Sequence, residues 1–75
     1  HEIVRVRRAD ERVLAWLALR ASGNPATVAL DRTWSDVADE LALTREAVYR
    51  AIGSLKRAGR IRIEGENVVI VDARR

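Results

Sequence analysis

Residues 33–59 read Thr33-Trp34-Ser35-Asp36-Val37-Ala38-Asp39-Glu40-Leu41-Ala42-Leu43-Thr44-Arg45-Glu46-Ala47-Val48-Tyr49-Arg50-Ala51-Ile52-Gly53-Ser54-Leu55-Lys56-Arg57-Ala58-Gly59. Thr33 and Asp36 stand at capping-box spacing, in which a hydroxyl accepts from the backbone N–H three residues on and the carboxylate returns to the cap's own N–H. Thr33 therefore opens a short helix with Val37, Ala38 and Leu41 turned inward, ending near Ala42. Thr44 is the next residue able to cap, and no proline interrupts 45–59, so a second helix begins about two residues after the first stops.

At about 100° per residue the second helix divides into two arcs. Ala47, Val48, Ala51, Ile52, Leu55 and Ala58 form an apolar arc that belongs in a core. Arg45, Glu46, Tyr49, Arg50, Gly53, Lys56 and Arg57 share the other side. The first two turns of that polar arc match the chemistry of base edges: Arg donates bidentately to guanine O6 and N7, and Glu accepts from cytosine N4. A carboxylate beside phosphates is unfavourable unless a base amino group or an Arg answers it, so Glu46 speaks for readout. Its plainer role is an i, i+4 pair with Arg50, worth only a few tenths of a kcal/mol.

Upstream, Val13, Leu14, Trp16, Leu17, Ala18 and Ala21 recur at three- and four-residue spacings and predict a helix over 11–21, with Asp10 as N-cap. Residues 2–8 either extend that helix or end a preceding one. Ser22-Gly23-Asn24-Pro25 stops it, and Thr27-Val28-Ala29-Leu30 reads as a brief strand. Downstream the period changes to two. Ile61 and Ile63 alternate with Arg60, Arg62 and Glu64, a turn follows at Glu64-Gly65-Glu66-Asn67, and Val68-Val69-Ile70-Val71 returns as the second strand of a hairpin. The fold class is α+β: helix, short strand, two helices in tight succession, and a β-hairpin.

Seventy-five residues allow one domain, 1–75, with a small core. There is no Cys and one His, at position 1, which excludes disulfides, thiolate metal sites and His-based triads; no enzyme is expected. No apolar run approaches the roughly 20 residues of a membrane helix, and no signal-peptide pattern is present, so the expected location is the cytoplasm. The sequence has no Met, which suggests a fragment of something longer, with His1 as a tag remnant. The formal charge is +3, unevenly spread. Residues 31–43 carry a net −3, whereas 44–62 carry six basic residues against Glu46 alone, a net +5. Positive charge concentrated on one structural unit is the footprint of a nucleic-acid binder, although a solvated basic helix produces the same count.

The stretch from Thr33 to Asp72, with Thr44-Arg45-Glu46-Ala47-Val48-Tyr49-Arg50, then Leu55, Gly59-Arg60-Ile61 and the hairpin, resembles the C-terminal winged helix-turn-helix domain of the cyclic-AMP receptor/FNR (Crp/Fnr) family of bacterial transcription regulators. Arg12 with Val13-Leu14-Ala15-Trp16-Leu17 is similar to that family's first helix. The resemblance implies double-stranded DNA as partner, with Arg45, Glu46 and Arg50 reading a half-site of the TGTGA type. It also implies a homodimeric parent with an effector domain upstream, a cyclic nucleotide being one such effector, and RNA polymerase as a further partner; this chain itself takes no cofactor and is expected to be monomeric alone. Tyr49 stands where the family has a small residue, and joins the base-contacting set. Ala47 replaces a Thr or Ser that touches phosphate, and Ala42 replaces a Gly at the turn, tolerable if that residue stays out of the left-handed region.

For phosphate contacts the candidates are Thr33 and Ser35 at the start of the first helix of the pair, Thr44 at the start of the second, and Arg60 and Arg62 on the wing, because helix N-termini and cations both attract anions. Trp16 and Trp34 read as packing residues: nothing basic interleaves with Trp16 in the sequence, and Trp34 lies beside an acidic run. Two other readings stay open here, a winged-helix module that meets an acidic protein and a nucleic-acid binder without sequence preference, RNA included.

Overall fold

The computed structural model describes residues 2–71, with side chains from Arg8 onward; His1 and residues 72–75, including Asp72, lie outside the described residues. Six elements follow in order: α1 (Glu2–Arg20), β1 (Thr27–Ala29), α2 (Trp34–Leu41), α3 (Arg45–Arg57), β2 (Ile61–Glu64) and β3 (Asn67–Ile70). This is the α+β winged helix-turn-helix arrangement, with the hairpin β2–β3 as wing and β1 as the additional strand.

Local chemistry fixes where the helices start. Thr33 Oγ1 accepts from the Asp36 N–H at 3.1 Å, and Asp36 Oδ2 accepts from the Thr33 N–H at 3.1 Å, completing the capping box of α2. Thr44 Oγ1 accepts from the Ala47 N–H at 3.0 Å and opens α3. Helix α1 is a different matter. It runs unbroken from Glu2, so residues 2–8 continue it and Asp10 lies inside it rather than at its cap. The Asp10 carboxylate instead accepts from Ser54 Oγ on α3 at 2.7 Å, a bond between residues 44 positions apart.

Helices α2 and α3 both end in the paired backbone bonds of a Schellman motif. At the end of α3, Arg60 N–H donates to Leu55 O at 2.9 Å and Gly59 N–H to Lys56 O at 3.0 Å, with Gly59 left-handed at φ 74°. At the end of α2, Leu43 N–H donates to Ala38 O at 2.9 Å and Ala42 N–H to Asp39 O at 3.2 Å. Here the left-handed residue is Ala42, at φ 56° and ψ 41°. The alanine is therefore forced into the very region that would have made it costly, about 1–2 kcal/mol for a residue with a Cβ. Arg12 on α1 donates to the Leu41 carbonyl, satisfying one acceptor at this helix end and placing a cation at its negative pole.

The sheet order is β1-β3-β2, antiparallel throughout, with Val28 opposite Val68 and Val68 opposite Ile63. A two-residue loop, Gly65-Glu66, joins the hairpin; Gly65 takes φ 62°, as the first position of such a loop requires. Val28, Ile61 and Val68 meet Val13 and Leu17 of α1, Val37 and Ala38 of α2, and Val48, Ala51, Ile52 and Leu55 of α3 in one buried cluster. Three apolar residues expected in the core fall outside it: Ala18 lies on the solvent side of α1 and Ala58 follows the end of α3, so both are exposed, and Ala47 in the first turn of α3 is only half-buried. Val71 lies beyond the end of β3, although its N–H still donates to Arg60 O at 2.9 Å.

The two helix ends make opposite demands on the same substitution pair. Ala42→Gly is expected to stabilise the domain by about 1 kcal/mol and to raise its melting midpoint by ~4–8 °C. Gly59→Ala is expected to lower it by a similar amount, although a Cβ there would touch nothing within 4 Å, since the penalty is one of backbone conformation. Thermal unfolding followed by circular dichroism checks both signs.

Candidate nucleic-acid interface

Burial of one arc of α3 decides what the other arc does. Val48, Ala51, Ile52 and Leu55 are buried, so Arg45, Glu46, Tyr49, Arg50, Lys56 and Arg57 all stand in solvent, with Tyr49 54% exposed. Among the described residues none of these six side chains is engaged in an ion pair or side-chain hydrogen bond; in particular Glu46 and Arg50 do not pair. Four other guanidinium groups are engaged, and Arg60 is not among them. Arg12 is bonded to Leu41 O, Arg20 and Arg32 to Glu40, and Arg62 to Glu64 at 2.5 Å.

Tyr49 marks where α3 meets its neighbours. It lines an open groove of about 570 Å³ together with Leu30, Asp31 and Arg32 of the loop before α2, Thr33 and Trp34 at the start of α2, and Gly65 and Glu66 at the wing turn. The fold thus brings Thr33, Tyr49 and the wing tip onto one groove. Thr33 and Thr44 are exposed, and each keeps its hydroxyl hydrogen free while its oxygen accepts the capping bond, so each remains a donor. Ser35 is half-buried. Arg62 is exposed on β2 and paired with Glu64 two residues along. Arg60 lies elsewhere, exposed at the foot of the hairpin and lining a separate cavity with Asp10, Glu11, Leu14, Ser54, Leu55 and Ala58. At the departing position Ala47, the backbone N–H is committed to Thr44, and its methyl is half-buried.

Joined to this groove through Arg32 is a cluster that sequence spacing does not announce. Trp16 is buried, and its Nε1–H donates to Glu40 Oε1 at 2.9 Å; Arg20 Nη2 donates to the same oxygen at 3.1 Å, and Arg32 to the other. The Arg20 and Arg32 guanidinium carbons lie 4.3 and 5.8 Å from the indole centroid. Trp16 packs, as expected, but it is flanked by cations after all, one from the next turn of α1 and one from the loop before α2. Hydrogen bonding from Trp16 first, and then from Arg32 and Arg20, holds the Glu40 carboxyl below its ordinary value against the opposing effect of burial; Asp31 is lowered by its bond to Arg32, whose own pKa is raised. Glu40 therefore ties α1, α2 and the intervening loop together. Trp16 and Glu40 are 24 positions apart, so only the α1 half of the cluster, Trp16 with Arg20 at i+4, carries any local signal.

Gly53 is the other feature of α3 that packing leaves unaccounted for. It lies within the helix without a left-handed φ, where glycine costs about 1 kcal/mol relative to alanine. A Cβ at this position would meet only Arg57 Nη1, at 3.4 Å.

Comparison with known proteins agrees with this geometry. Residues 11–75 match the model of the Crp-like helix-turn-helix domain. The chain belongs to the Crp-like helix-turn-helix family. It is also 47% identical over 57 residues to the transcriptional activator protein FnrL of Cereibacter sphaeroides, a match covering 76% of this chain and 23% of that protein. The chain thus spans under a quarter of that relative's length. It is a helix-turn-helix DNA-binding domain of the Crp/Fnr family. No helix among the described residues is long and apolar enough to cross a membrane.

The Glu40 cluster makes stability depend on pH in a defined direction. A carboxyl whose pKa is lowered by folding contributes stability that is complete above its unfolded value, near 4.5, and is lost as pH falls through the lower folded value. Glu40→Gln is expected to lower the melting midpoint at pH 7 and to show a smaller further loss than wild type between pH 5 and 2. A midpoint-against-pH series on both chains checks it; equal acid losses would remove Glu40 from the account.

Proposed function

We propose that this domain binds double-stranded DNA sequence-specifically, with residues 45–57 seated in the major groove. The observation that carries the reading is the exposed and internally unanswered face of Arg45, Glu46, Tyr49 and Arg50 on the first two turns of a helix whose opposite side is core. A recognition helix reads bases with its N-terminal residues while the preceding helix crosses the backbone, and α2 and α3 are ordered to do both. Arg45 and Arg50 serve as bidentate donors to guanine, Glu46 as acceptor from cytosine, and Tyr49 as a contact to a thymine methyl or a neighbouring phosphate. Thr33, Ser35, Thr44, Arg60 and Arg62 hold the sugar–phosphate backbone and set register without reading sequence.

A winged-helix module for an acidic protein would use the same positive charge, but it has no need of a carboxylate among the arginines of the contact face. The free Glu46 favours DNA over that reading and over a binder indifferent to sequence. FnrL is named a transcriptional activator; the resemblance to the Crp/Fnr family implies that this domain serves a longer cytoplasmic regulator, homodimeric, with its effector site in another domain and RNA polymerase as partner. Two such domains would address half-sites about one helical turn apart. No catalytic role and no cofactor of its own are assigned to the domain.

Arg45→Ala is expected to cost about 1–3 kcal/mol on a duplex selected by the wild-type chain and to relax preference at one base pair, whereas Arg62→Ala weakens selected and scrambled duplexes alike. Wild-type affinity should fall by orders of magnitude between about 50 and 200 mM salt. Fluorescence anisotropy with both duplexes measures all three. Equal losses on the two duplexes for Arg45→Ala would defeat the base-reading role.

A further inference from the structure

The polar arc of α3 does not end with its first two turns. Glu46, Arg50, Gly53 and Arg57 stand at i, i+4, i+7 and i+11, one stripe along the middle of the outer face. Gly53 is the gap in that stripe. Nothing inside the domain requires it: the φ is not left-handed, and the sole atom within 4 Å of an added Cβ is the far end of Arg57, a flexible side chain on the exposed face. Glycine in such a position suits the close approach of another backbone. The Arg57 guanidinium lies over the gap in the free domain, and neither Arg57 nor Arg50 has an ion-pair partner among the described residues.

We propose that Gly53 seats a phosphodiester of bound DNA directly against the third turn of α3, and that Arg57 turns from the glycine onto that phosphate. The inference rests on the DNA-binding reading and extends it to two residues outside the base-contacting set. Arg50 and Arg57 bracket the gap, about 10 Å apart along the axis at ~1.5 Å per residue. Glu46 lies about as far from Gly53, so the stripe's carboxylate is kept clear of the seat. The C-terminal end of a helix repels an anion, which assigns the attraction to the two guanidinium groups and makes a side-chain-free floor useful: the phosphate reaches them without a methyl in between. Truncating Arg57 alone would leave the gap but remove its charge; filling Gly53 would leave the charge but close the gap.

The test uses this chain with a fluorescein-labelled duplex selected by it and a scrambled duplex of equal length. Gly53→Ala is expected to raise the melting midpoint by several degrees, because the helix interior improves, while affinity for both duplexes falls about tenfold or more; Gly53→Leu should lower it further. Arg57→Ala should weaken both duplexes alike and reduce the salt slope by about one. In the Gly53→Ala background the same change should cost less than it does alone, since the seat is already closed. A stabilised Gly53→Ala chain that binds both duplexes as wild type does would overturn the proposal, as would an unchanged salt slope in Arg57→Ala. If wild type prefers the selected duplex and Arg45→Ala relaxes that preference, such a result sinks the seat alone. Wild type that binds neither duplex defeats the DNA reading and the seat with it.

Discussion

Everything on the outer face of this domain is held in place by four side chains on the inner one. Val48, Ala51, Ile52 and Leu55 lock α3 against α1, α2 and the first wing strand, and that contact fixes the rotation of the helix about its own axis. A turn of about 100° corresponds to one residue of the helical repeat, so a shift of a single position in which residues face the core would bring Arg45 or Arg50 toward the interior. A guanidinium without a partner cannot be buried at tolerable cost. The apolar arc and the charged arc thus enforce the same orientation, one by attraction to the core and the other by exclusion from it.

Electrostatics then separates the cations by task. Arg12 closes a helix end, Arg20 and Arg32 share Glu40, and Arg62 leans on Glu64, each local charge being answered within the domain. The cations of α3, and Arg60 just beyond its end, are left unanswered among the described residues. The acidic stretch 31–43 supplies the answering carboxylates Asp31 and Glu40, so part of the uneven charge along the chain is consumed in pairs outside α3.

What sequence could reveal depended on how far apart the interacting residues are. The caps at Thr33 and Thr44 were readable because each bond spans three residues, and the hairpin because its alternation and Gly65 are local too. Asp10 looks like a cap for the converse reason: its partner, Ser54, is remote, and an acidic residue ahead of an apolar repeat has the same appearance in either role. Ala42 hid its left-handed backbone because alanine is not the residue that conformation selects. Ala18 fitted the apolar spacing of α1, but the side it occupies has no neighbour, and periodicity alone cannot say how wide a covered stripe is. The face of Arg45, Glu46, Tyr49 and Arg50 is legible from the helical repeat; its freedom from internal pairing, Glu46 with Arg50 above all, depends on side-chain rotamers that spacing does not encode.

The short strand β1 has a consequence for the wing. Leu30 N–H donates to Glu66 O at 3.0 Å, and Ile70 N–H donates to Ala26 O at 2.9 Å, so the hairpin is stitched along its length to the segment that leads into α2. A lone two-stranded hairpin would flex, whereas this one is the flank of a three-stranded sheet whose loop ends at Thr33. The wing tip and the first turn of α2 consequently approach any partner as a preorganised pair of jaws with their gape already set, and association sacrifices little conformational entropy in bringing them to bear.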